Sequence, residues 1–332
     1  MPTSDRRDHR PAPARPPSRP RAPARWRRGV LPALALAAAL GIAPARAQLP
    51  SPADEPITPV PTPPTLDPAR VALGAALFSD TDLSGPRTRS CASCHDLATN
   101  GADARRFDPG LDGTQIPVNT NTVFNAALSF RLNWSGDART LQAQADESLR
   151  SIAFMAADEA QVIGRLRDNH AMAARFASAY GHGPDWPSVL DALATFERTL
   201  VTPGSRFDRW LGGERTALGA EELDGYHLFK SIGCASCHQG VNIGGNLFER
   251  FGVVDPRGGR DSRVFRVPSL RNVATSPPYF DDGSAPTLQA AVGRMASAQL
   301  GRDLSAQEVA SIVAFLGTLT GRYAGHDVTA PQ

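Results

Sequence analysis

A mainly α-helical chain built from two similar halves follows from three observations. The pentapeptide Cys-Ala-Ser-Cys-His occurs at 91–95 and again at 234–238, apolar residues recur at helical spacing over long stretches, and strand signals are scarce. Each pentapeptide is the C-x-x-C-H pattern, in which two thiols add across the vinyl groups of one haem and the adjoining histidine reaches the iron. Cys91, Cys94, Cys234 and Cys237 are all the cysteines of the chain, so no thiol is left over. Zinc or disulfide bonding is the alternative reading. A zinc site made from both cysteine pairs would close a very long loop and leave His95 and His238 without a role.

The elements follow in chain order. Residues 1–28 are rich in Arg and Pro, an apolar run of fifteen residues spans Gly29 to Ala43, and Ala45-Arg46-Ala47 supplies small residues at a cleavage position. Residues 1–47 therefore read as an export signal cut before Gln48; an uncleaved anchor is the rival, although a span needs ~20 apolar residues. Covalent haem is assembled outside the cytoplasmic membrane, so signal and motifs together place the protein in the periplasm. Ten of the 35 basic and two of the 33 acidic residues precede Gln48, leaving 25 and 31, a net charge of −6. That balance favours a basic or dipolar redox partner, or only keeps the protein soluble, and it removes the electrostatic support for nucleic-acid binding.

Residues 48–65 carry seven prolines and read as an extended, semi-rigid tether or disordered lead-in with few residues fit for a core. Beyond it, one haem domain is expected over 66–202 and a second over 203–325. Helical spacing predicts helices over 141–149, 160–180, 188–200, 221–230 and 305–319, with Thr202-Pro203-Gly204 stopping the third at the domain boundary. The Gly-, Pro- and Asn-rich stretch 240–286 implies long loops around a prosthetic group.

The order of motifs resembles the bacterial dihaem cytochrome c peroxidases over roughly residues 65 to 323. The resemblance rests on Thr122-Val123-Phe124-Asn125-Ala126, Trp134-x-Gly136, the string Phe196-Glu197-Arg198-Thr199-Leu200-Val201-Thr202-Pro203, and Phe207-Asp208-Arg209. Asn242 to Phe248, Val267 to Val273 and Pro278-Tyr279-Phe280 continue it in the second half. It implies two cytochrome c-like helical domains, two covalent haems with His95 and His238 as proximal ligands, and a calcium ion between the domains, held by Asn119, Thr275 and Pro277.

The resemblance also implies that hydrogen peroxide is reduced at the first haem with electrons passed from the second, which accepts them from a small cytochrome c or copper protein. Met295 occupies the family's sixth-ligand position at the second haem, and Tyr279 is its rival. Trp134 stands where the family has a tryptophan between the haems. No histidine lies between His95 and His170, so the first haem is expected to be open, with His170 the residue that would close it otherwise. Gln144 matches a distal glutamine, but the acid expected ten residues later is Phe154. Glu147 is the nearest substitute. Loss of that acid also motivates two other readings: a dihaem electron-transfer protein with little peroxidase activity, or an oxidase of protein side chains. The resemblance leaves a homodimer open.

Overall fold

The computed structural model describes residues 55–254 and 263–331. The expected export signal and the first part of the Pro-rich segment lie outside the described residues. Among those described, nine α-helices and two short hairpins make up the regular structure, and no helix is long and apolar enough to cross a membrane.

Capping chemistry sets the helix ends. α1 (Pro68–Phe78) starts where the Asp67 carboxylate accepts the Ala69 and Arg70 amides, with proline at the first position, where no amide hydrogen is needed. Thr140 caps α2 (Leu141–Arg150) through the Ala143 amide. The stretch expected as one helix over 160–180 is two, because the Asn169 side chain accepts the Met172 amide, ending α3 (Glu159–Asp168) and opening α4 (His170–Tyr180). Asparagine offers its side chain to the backbone in place of the next helical turn, so the apolar period runs on through the break. Asp185 caps α5 (Trp186–Glu197). After α6 (Arg206–Leu211) and α7 (Ala220–Ser231) come α8 (Leu288–Leu300) and α9 (Ala306–Gly317), the last opened by a reciprocal Ser305–Glu308 box. The loop-rich region holds one antiparallel hairpin, β1 (Phe248–Arg250) against β2 (Val264–Arg266), and β3 (Arg322–Tyr323) pairs with β4 (His326–Asp327) near the chain end.

Two apolar cores repeat one design. In the first, α1 crosses α5 at Gly74, where a Cβ would lie 2.0 Å from the Ala192 carbonyl oxygen and 2.6 Å from Phe196 Cβ. In the second, α7 crosses α9 at Gly225, where a Cβ would lie 1.9 Å from the Ser311 carbonyl oxygen and 3.1 Å from Phe315 Cβ. One turn after each glycine stands a phenylalanine that meets the partner helix: Phe78 lies 5.4 Å from Phe196, and Phe229 lies 5.2 Å from Phe315. Alanine at either glycine is expected to cost about 1–3 kcal/mol through overpacking, read as a lower denaturant midpoint at unchanged slope.

The first and last described segments are exchanged between the cores. Ile57 is fully buried in the second core, the Gly240 amide donates to the Pro56 carbonyl at 2.8 Å, and the Val60 amide donates to Asp208 Oδ1 at 3.3 Å. Residues 55–65 are therefore extended but anchored, which corrects their reading as a tether. At the other end Val328 joins the first core, and Tyr323 lies 4.8 Å from Phe124. Lead-in and tail thus each cross the boundary expected at 202/203.

Buried amides and hydroxyls close the seam between the halves. Asn125 and Asn272, both left-handed at φ 61° and 59°, turn the chain at corresponding places. Both donate to Thr202 Oγ1, at 2.8 and 3.0 Å, while Asn242 Nδ2 donates to the Asn125 carbonyl at 3.0 Å. Such groups hold a fixed geometry because leaving any of them unpaired when buried is costly.

Candidate active site

The two pentapeptides adopt the same local turn. A 3₁₀ turn over Cys91–Ser93 brings the His95 amide to the Cys91 carbonyl at 3.0 Å, and one over Cys234–Ser236 brings the His238 amide to the Cys234 carbonyl at 3.0 Å. In the first turn the Ser90 amide also donates to Ser93 Oγ at 3.0 Å. Behind the motifs, Phe78 lies 6.5 Å from the His95 ring and Phe229 lies 6.4 Å from the His238 ring.

Each histidine is set up as a neutral ligand. His95 Nδ1 donates to the Gly101 carbonyl and His238 Nδ1 to the Ile243 carbonyl, each at 3.1 Å. In that tautomer Nε2 keeps the lone pair that a metal needs. Burial lowers the pKa of both imidazoles, which keeps them uncharged at neutral pH. Burial likewise pushes the Cys91 thiol up to about 12, with the Glu197 carboxylate adding to it, and the Cys94 and Cys234 thiols to about 11.

One cavity of about 790 Å³ is lined by both motifs. Its wall also carries Trp134, Gln144, Glu147, Phe154, Tyr279 and Met295, so the fold gathers the catalytic and ligand candidates from both halves around one space. Gln144 Nε2 donates to Ser148 Oγ at 2.9 Å, one turn on along α2. Trp134 Nε1 donates to the Asn119 carbonyl at 2.8 Å, which fixes the indole where the halves meet. The turn around it depends on Asp137, which accepts Asn133 Nδ2 at 2.7 Å and Ser135 Oγ at 2.8 Å. Gly136 passes so close to Phe248 that a Cβ would lie 2.4 Å from the ring.

The candidates differ in exposure and partners. Glu147 is exposed, and its carboxylate accepts Asn133 Nδ2 at 3.4 Å. Phe154 is 38% exposed at the cavity wall. Met155 beside it is buried in the first core. His170 is exposed at the start of α4 and is not part of the cavity wall. Met295 projects from α8, whereas Tyr279 is buried, with its phenol pushed up to about 12 by burial. Asp281, whose role the sequence does not explain, pairs with Arg263 at 3.2 Å, and its carbonyl accepts the Asn119 amide at 2.7 Å. Asn119 and Thr275 are buried, and the Thr275 carbonyl accepts Asn100 Nδ2 at 2.7 Å.

Glu197, absent from the sequence-based candidates, also lines the cavity. It is 7% exposed at the end of α5, and its carboxyl makes no hydrogen bond or ion pair among the described residues. Burial pushes its carboxyl up to about 7, opposed weakly by Arg198. A carboxyl on the apolar face of an amphipathic helix was the available signal. Between its ordinary 4.5 and about 7 the folded chain keeps a proton that the unfolded chain has lost, so this group lowers stability as pH rises through that window. Glu197→Gln is expected to match the native protein near pH 4 and exceed it at pH 8 by roughly 3 kcal/mol, at about 1.4 kcal/mol per pKa unit. Denaturant unfolding at the two pH values checks this.

Comparison with known proteins agrees with the geometry. The family model described as di-haem cytochrome c peroxidase matches residues 68–216. The cytochrome c551 peroxidase of Nitrosomonas europaea is 39% identical over 286 residues, covering 81% of this chain and 85% of that protein. The cytochrome c peroxidase Ccp of Escherichia coli is 38% identical over 288 residues, covering 81% of this chain but only 62% of that longer protein. A crystal structure of a MauG-like protein associated with microbial copper homeostasis superposes with a TM-score of 0.70 at 26% identity, covering 83% of this chain and 95% of that one. With both motifs on one cavity and relatives aligned through both halves, the chain belongs to the di-haem cytochrome c peroxidase family.

Proposed function

We propose that this protein reduces hydrogen peroxide to water in the periplasm with electrons from a small cytochrome c or copper protein: H₂O₂ + 2e⁻ + 2H⁺ → 2H₂O. The single observation that supports the reading is the shared cavity, whose wall carries Gln144, Trp134 and Met295 together with His95 and His238. The donor set fits haem, since both histidines offer Nε2 and all four thiols flank the cavity. When bound, the iron supplies the redox chemistry that the side chains lack.

The side chains divide the other tasks. Gln144, steadied by Ser148, orients peroxide, and Trp134 fills the space between the motifs as an aromatic relay. Glu147, at the cavity mouth, is the acid nearest to Gln144 along the same helix. Met295 would hold the electron-entry haem, and a thioether ligand there would raise its reduction potential, which suits one-electron acceptance. Met295→Leu is expected to remove the methionine-ligated absorbance band and slow reduction by the donor at least tenfold, both followed by rapid-mixing spectroscopy. Absence of such a band from the native protein would favour Tyr279 as ligand and oxidation of a protein side chain as the reaction, and its persistence in the variant would assign the thioether to another methionine.

For calcium, Asn119, Thr275 and Pro277 are the proposed oxygen donors. The Asn119 and Thr275 carbonyls each accept one side-chain hydrogen bond and keep a second lone pair for an ion. The seam of buried amides joins the halves without the metal.

The second reading, electron transfer without useful peroxide turnover, is favoured by Phe154 on the cavity wall. Mixing half-reduced protein with stoichiometric peroxide separates the two. Oxidation of the second haem within the first milliseconds to seconds supports the peroxidase, and unchanged spectra of both haems would overturn it.

A further inference from the structure

Glu197 breaks the repeat between the two cores. Ala192, Leu193 and Phe196 on α5 correspond to Ser311, Ile312 and Phe315 on α9, as the glycine crossings and ring contacts show. By the same register Glu197 corresponds to Leu316. Both residues are buried and both line the cavity, at 7% and 3% exposure. Burial at this position suits leucine, and an unpartnered carboxyl there costs stability. The first half carries that cost and the second does not.

The helix also fixes which way the carboxyl faces. Ala194 packs with Leu132, Ala138 and Leu141, on the side that carries Gln144. Phe196 packs on Phe78, which flanks the His95 ring. At 100° per residue Glu197 lies between these two directions, toward the edge of the first compartment near Cys91. The ionisable groups that act on it are Arg198 on its own helix and Cys91, whose thiol is consumed when haem attaches. α1 and α2 meet α5 near Glu197 through Gly74, Phe78 and Leu141, and their charged contacts with it, Arg70 with Asp191 at 3.4 Å and Asp146 with Trp186 Nε1 at 2.6 Å, lie toward the start of α5.

We propose that Glu197 takes up a proton when the N-terminal haem is reduced and releases it on reoxidation, so that electron and proton arrive together in this compartment. In balance, the haem gains one electron, delivered from the donor through the second haem, and the Glu197 carboxylate gains one proton from solvent. Reoxidation returns both. Added negative charge in a poorly solvated space favours the protonated carboxyl, and a carboxyl whose pKa lies near 7 is poised to respond at neutral pH. Leu316 gives the second haem no such partner, so its potential is expected to lack this dependence.

The proposal rests on haem occupying the first motif, and the test separates that premise from the coupling. Spectroelectrochemical titration of the intact dihaem protein from pH 5 to 9 should show the N-terminal haem potential level in acid. Above about pH 7 it should fall by up to ~59 mV per pH unit, the tenfold change per unit of a one-proton, one-electron couple. Glu197→Gln should stay near the acid-limit value across the range. Haem propionates titrate in both proteins, so the difference between the two curves isolates Glu197. Equal slopes in native and variant protein would overturn the coupling alone, whereas absence of a second haem couple would overturn coupling and premise together. Independently of any variant, reduction of the native protein should produce a protonated-carboxyl band in the infrared difference spectrum that shifts in D₂O. Absence of that band would overturn the proposal.

Discussion

Phe154→Glu is expected to raise the rate of peroxide turnover about 10²-fold. The ring lies on the same cavity wall as Gln144, four residues beyond α2, so a carboxyl at this position would enter the compartment proposed for peroxide cleavage. A positioned acid or base is typically worth ~10²–10⁴-fold. The lower end applies here because Phe154 is 38% exposed, and water already has access to the site. The same exposure means that the substitution has little effect on folding, so a change in rate reports on chemistry. Steady-state turnover with a reduced small cytochrome measures it. An unchanged rate would show that proton supply is already sufficient, and Glu147→Gln would then identify whether the exposed carboxylate on α2 provides it.

Arg271→Ala is expected to destabilise the protein by about 3–5 kcal/mol, the usual cost of removing one partner from a buried ion pair. Arg271 and Asp208 side chains are 1% and 6% exposed and meet at 2.8 Å. The guanidinium also donates to the Val241 carbonyl and to the Thr58 carbonyl, each at 2.8 Å. One side chain thus ties α6, the loop behind His238 and the anchored lead-in together. Without it the buried Asp208 carboxylate would keep only the Val60 amide as a partner among the described residues. The double variant Arg271→Met with Asp208→Leu is expected to recover much of the loss, because two well-packed apolar groups leave no unpaired charge. Denaturant unfolding of the single and double variants measures both effects, and a double variant as unstable as the single one would place the cost in the lost carbonyl contacts.

Much of this architecture is legible in the order of residues alone. The repeated C-x-x-C-H motif, the helical spacing over 141–149 and 188–200, and the break at Thr202-Pro203-Gly204 all act locally, through covalent geometry and the backbone. They specify helices and turns, and set two thiols beside a histidine in each motif, whatever surrounds them. Asn169 shows where this reasoning slips, since a single side-chain hydrogen bond splits a stretch whose apolar pattern is continuous. Ile57 and Val60 show another slip, because the fate of an extended segment depends on a groove formed by residues far away in the chain.

By itself the sequence determined two haem-binding helical units, their order, and the residue types offered to the iron. Only the tertiary structure decided which of those residues share one space. It brought Gln144, Trp134 and Met295 to a common cavity, left Glu147 and His170 exposed, and turned an unpartnered Glu197 inward where its counterpart is Leu316. The physical reason is burial, since the environment of a carboxyl is set by helices that cross at Gly74 and Gly225, and no local pattern reports how completely such a crossing excludes water.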